Sequence, residues 1–161
     1  MKRDDILTIF GIFVAMLLYA GVLQTAKVGC FFLWGCLILG TVLDLIEGFW
    51  APVFENGLVG DLIVWAFYIV LLEKIHAGLW LYTLLVILIF YPNTRSMVGK
   101  VAELVLFAAL DLGILITIHA GAILYTLLLL KWTIAAVISG CTILSMRQRQ
   151  IKTQKHPQPI G

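Results

Sequence analysis

Asp111, His119 and Lys131 fall inside one long apolar stretch of the chain, residues 101–146. An ionisable side chain in such surroundings is costly to hold and is therefore a candidate for function. Asp111 has the chemistry of a proton or ion site. It could equally serve as an ion-pair or hydrogen-bond partner for Lys131 or for a histidine on another helix. His119 has a counterpart in His76, because IHAGLWLYTLL at 75–85 returns as IHAGAILYTLL at 118–128, an offset of 43. Two imidazoles at matched depth have the residue type for axial haem ligation, but their spacing fixes no ligand geometry. No haem, other cofactor or metal is expected. Asp44 and Glu47 are a further acidic pair, three apart on one helix face. Their place near the end of an apolar run suits interfacial residues, as does that of Glu73 and Lys74. Glu103 completes the set of ionisable groups in apolar segments.

The elements that must position these residues follow from composition. Of 161 residues, 62% are hydrophobic and 12% charged, about half the charged share of an ordinary soluble domain. Mean hydropathy is +1.06. Runs this apolar suit a bilayer, where the backbone must satisfy its own hydrogen bonds as helix. The expected class is all-α: a polytopic integral membrane bundle over 1–146, closed by a polar basic tail, 147–161, expected to be disordered. Net charge is +2 with no clustered basic patch before the tail, and nucleic acid is not an expected partner. The lipid bilayer is, together with copies of the same chain or other membrane subunits.

The runs 58–91 and 101–146 are too long for single straight spans at 1.5 Å per residue across a core of about 30 Å. The repeated phrase offers a fold-back in each. Lys74 and His76 would meet the negative end of a helix dipole, with Gly78 at the C′ position, and His119 before Gly121 would act alike. A competing reading keeps one tilted helix through His119, because Ala109, Gly113, Thr117 and Gly121 recur every four residues as a small-residue stripe for close packing. Six spans are expected, with five or four as alternatives, and the hairpins 58–91 and 101–146 read as a duplication.

Arg147, Arg149, Lys152 and Lys155 occur in the tail without an acid, which places the C-terminus in the cytoplasm, with the loop around Arg95 and Lys100 on the same side. The apolar run from Ile6 to Leu23 is too long for a signal-peptide core and is expected to stay as a first span. Cys30, Cys36 and Cys141 have no metal or CxxC spacing. No nucleophile–base set or phosphate-binding loop is visible, so an enzyme is not the leading expectation. Three functions remain: a transporter or channel component; a non-catalytic scaffold or accessory subunit of a membrane complex; and a haem- or quinone-binding redox subunit through His76 and His119.

Overall fold

The computed structural model describes residues 3–28, 30–50, 58–91 and 97–155. Among them the chain is all-helical. The helices are α1 (Arg3–Thr25), α2 (Phe31–Trp50), α3 (Leu58–Lys74), α4 (Leu79–Ile89), α5 (Met97–Thr117) and α6 (Ala122–Lys155). Each helix packs on its neighbours in sequence, and α6 returns to α1, closing a ring. Small residues set that closure: a Cβ added at Gly11 would meet Ile134, and one at Gly21 would meet Leu124, so α1 and α6 run antiparallel in close contact. On the inner side Trp65 stacks on Phe107 and Tyr68 bonds to Asp111. Advancing along α3 thus advances along α5, and these two helices are parallel.

Three of the chain reversals use one device. Lys27, His76 and His119 are non-glycine residues with positive φ, at 54°, 52° and 54°. Around each, the residue itself donates its N–H to the carbonyl three back (Gln24, Glu73, Ile116), and the next residue donates to the carbonyl five back (Leu23, Leu72, Leu115), at 3.0–3.2 Å. This is the Schellman arrangement, which satisfies carbonyls orphaned at the helix end. The left-handed residue is therefore the basic side chain rather than Gly78 or Gly121. No described glycine has positive φ, and Gly78 is instead the N-cap of α4. The third of these reversals falls at His119, so α5 stops at Thr117. The continuous helix is excluded, and the stripe with it: Ala109, Gly113 and Thr117 belong to α5, while Gly121 lies outside any helix with open space around its Cβ position.

The tail also differs from expectation. Residues 147–155 continue α6 as exposed helix, since Arg, Gln and Lys are good helix formers and no Gly or Pro breaks the run. Residues 156–161 lie outside the described residues. Among the described residues, two helices are long and apolar enough to cross a membrane, those over Ile6–Thr25 and Ala122–Lys155. With 11 residues, α4 rises only about 16 Å.

The core lies toward the end of the ring that carries the three turns. Leu18, Leu23, Leu71, Leu72, Leu81, Leu110, Ile114 and Leu115 are fully buried there. The outer surface is apolar on every helix, with Phe13, Ile38, Leu62, Ile87, Val105 and Leu129 all exposed. Thr41, Thr83, Thr117, Thr126 and Thr133 each donate their hydroxyl to the carbonyl four residues back, at 2.7–3.0 Å. That local bond satisfies the hydroxyl within its own helix.

Candidate functional site

Four helices converge on one polar cluster. The Tyr19 and Tyr68 hydroxyls, from α1 and α3, lie 2.6 Å apart. Tyr68 donates to Asp111 Oδ1 at 2.8 Å, and Tyr19 can donate to the same carboxylate at 3.0–3.2 Å. From α6, Lys131 Nζ donates to Asp111 Oδ2 at 2.7 Å and to Tyr19 Oη at 2.6 Å. The Lys131 ammonium also lies 4.7 Å from the centre of the Tyr19 ring and 4.6 Å from that of Trp132, within cation–π range. Asp111 is 3% exposed and is the one buried charged residue among those described. A buried carboxylate is tolerable only when paired and hydrogen-bonded, and here a cation and two phenols satisfy both oxygens.

The backbone register explains why these side chains meet. Tyr19, Tyr68 and Asp111 each stand eight residues before a turn residue, namely Lys27, His76 and His119. With α3 and α5 running parallel, equal distance from a common turn end means equal depth, about 12 Å at 1.5 Å per residue. Lys131 approaches from the opposite chain direction, ten residues into α6. The three first helices of the hairpins supply the carboxylate and its phenols, and the last helix supplies the counter-charge.

A cavity of about 260 Å³ opens beside the cluster, on the side away from the turns. Its walls are apolar residues of α1 (Ile12, Ala15, Met16), α2 (Leu37, Gly40) and α3 (Ile63, Val64, Phe67), with Phe107 from α5 and with Cys36 and Thr41 on the α2 side. Its floor is Tyr19, Tyr68 and Lys131, whereas Asp111 is not part of the lining. Toward the turns the interior is closed by the packed leucines described above.

Of the residues singled out from sequence, Asp111 and Lys131 come together, as one of the partnerships open to Asp111. His76 and His119 do not join them. Both are exposed left-handed turn residues at the end of the ring, and that placement lends no support to ligation of a haem across the interior. Glu73 and Lys74 are exposed at the same end, and Glu103 is half-buried on α5. Asp44 and Glu47 are on α2, but their side chains lie outside the described residues. Gly113 sits at a tight contact, though with side chains rather than a bare backbone: an added Cβ would collide with Leu81 and Trp80 of α4.

The sequence reading missed Tyr19 and Tyr68, and read the first turn only as a polar break, Gln24 to Lys27, between two apolar runs. One signal could have found all three. AlaLysValGly at 26–29 has the form of IleHisAlaGly at 75–78 and 118–121, with Lys for His. Aligning the three phrases puts Tyr19, Tyr68 and Asp111 in one column. No protein-family model matches the chain, and no curated protein or solved structure matches it either.

Proposed function

We propose that this chain is a small multi-spanning membrane protein of transport type, in which the Asp111–Lys131 pair is the barrier between an open vestibule and a sealed half. The observation that carries this reading is a buried ion pair whose lysine forms part of the floor of a cavity, with the interior beyond it closed by leucines. A purely structural pair gains nothing from a vestibule, since a well-packed apolar substitute is often as stable. The apolar outer surface supports immersion in lipid. Six crossings fit the alternating hairpins, with local bilayer thinning accommodating the short α4. The start of α1 and the end of α6 lie at the same end of the ring, which also carries Arg147, Arg149, Lys152 and Lys155. By the positive-inside rule that end is cytoplasmic, and the vestibule opens to the cytoplasm. Repetition of one helical hairpin, extended from two copies to three by the turn at Lys27, is consistent with the repeats common in transporters.

The test is flux. The purified protein is reconstituted in liposomes containing a pH-sensitive dye, and a proton gradient is imposed in the presence of a panel of small anions, cations and neutral solutes. At least one solute should speed dissipation of the gradient well above that of empty liposomes, and Asp111→Asn should abolish the effect. Absence of flux with every solute would overturn the transport reading. A stoichiometric protein partner found on purification would then favour the accessory-subunit alternative.

A further inference from the structure

The vestibule floor carries a cation and no carboxylate. Tyr19 and Tyr68 present phenols and Lys131 presents an ammonium, while the only carboxylate of the cluster, Asp111, stands behind them outside the cavity wall. Lys131 has three N–H bonds, two of which go to Asp111 and Tyr19; the third has no acceptor assigned among the described residues. A solute arriving in this space meets apolar walls and then a base whose one uncommitted donor is an N–H of the Lys131 ammonium. An apolar cavity of about 150 Å³ already accommodates a benzene ring, and this one is about 260 Å³. The shape and chemistry suit a compact apolar body carrying one anionic acceptor group.

Resting on the transport reading, we infer that the vestibule binds a small apolar monocarboxylate, which takes over Lys131 from Asp111 and causes Asp111 to take up a proton. The charge balance requires the second half. In the empty site the ammonium and carboxylate cancel. Once a solute carboxylate pairs with Lys131, Asp111 is left buried with phenol donors and no counter-charge, a state costly enough that the group neutralises instead. One proton from solution forms an O–H bond on an Asp111 oxygen, and the new hydroxyl has the Tyr19 oxygen at 3.0–3.2 Å as an acceptor. One carboxylate and one proton are bound together, no covalent bond of the solute changes, and the net charge of the site stays constant. The groups facing Asp111 are Tyr19 of α1, Tyr68 of α3 and Lys131 of α6. Cys36 is the titratable side chain on the α2 wall, and α4 holds no acid or base other than Tyr82.

The experiment uses the full chain in lipid nanodiscs, with benzoate as probe and empty nanodiscs as baseline, by calorimetry in buffers of different ionisation enthalpy at pH 7. Wild type should bind one benzoate per chain saturably, with close to one proton taken up per benzoate. Benzyl alcohol should bind at least tenfold more weakly and benzylamine not at all. Asp111→Asn should keep benzoate binding and lose proton uptake. Because Lys131→Met alone leaves Asp111 unpaired and endangers folding, the neutral double variant Asp111→Asn/Lys131→Met is the control, and it should lose benzoate binding. Equal affinity for benzyl alcohol, retained binding in the double variant, or proton uptake unchanged in Asp111→Asn would each overturn the inference. The two proposals fail separately: binding without flux of any solute defeats transport, whereas flux without benzoate binding defeats only the carboxylate assignment.

Discussion

Cut at the level of Asp111, the ring has two unlike halves. On the turn side, leucines from five helices interlock with almost no exposure. On the other side α1, α2 and α3 stand far enough apart to leave a cavity lined by half-buried Ile12, Met16, Cys36 and Ile63. Composition does not explain the difference, since both halves are apolar. The turns do. Each Schellman reversal leaves only a few residues between two helices, holding them at contact distance, and the residue after the left-handed position packs back on the helix it leaves. The clamp weakens with distance from the turn, and the helices are free to diverge where Gly40 and Thr41 face the interior. Tight packing in this molecule is thus a property of proximity to the reversals, and the charged cluster marks where their influence ends.

The sharpest way to break that comparison is to remove the charge at the boundary. Lys131→Met should destabilise the protein by ~3–5 kcal/mol, because Asp111 is left buried without a counter-charge. The Asp111→Asn/Lys131→Met double variant should recover most of that loss. Thermal unfolding of both in detergent measures the difference, and a single variant as stable as wild type would mean that water already reaches Asp111.

A smaller effect separates the halves directly. On the sealed side Gly113→Ala forces Leu81 and Trp80 to move, and overpacking of this kind costs ~1–3 kcal/mol. On the open side Gly40→Ala meets only Ile63 Cγ2, at 3.9 Å, and should be neutral or stabilising by up to ~1 kcal/mol, since glycine is a poor helix residue. Matched unfolding curves for the two variants would show that the halves do not differ in packing.

The smallest expected change is at the clamp itself. His119 holds a left-handed backbone that disfavours any residue with a Cβ. His119→Gly should gain up to ~1 kcal/mol, and His119→Val should lose a similar amount. If valine is tolerated as well as glycine, the reversal is not held in the conformation that organises the sealed half.

Much of this fold could be read from the sequence, and the misses have definite physical causes. The apolar runs gave the helices, and the repeated phrase gave two of the three reversals. The one at Lys27 was read only as a polar break between two apolar runs, because its phrase has lysine where the other two have histidine. Asp111 stood out because a lone acid in an apolar run is conspicuous, and Lys131 was among its named partners. Tyr19 and Tyr68 were invisible because a tyrosine in a membrane-like helix is ordinary until its register against the turns is counted. The misreading at Gly121 came from four small residues spaced in sequence as if one helix carried them. Local periodicity does not report that a chain has reversed between the third and the fourth.

The closing contact of α1 with α6 has a consequence for assembly. Every other neighbouring pair in the ring is also consecutive along the chain, so each hairpin can form as it is synthesised. The α1–α6 seam joins the most distant helices and must wait until the sixth has been made. Until then Asp111 has its two phenols but lacks its ammonium. The helix that completes the ring therefore also delivers the missing charge, and a chain interrupted before Lys131 would present cellular quality control with a buried, unanswered acid.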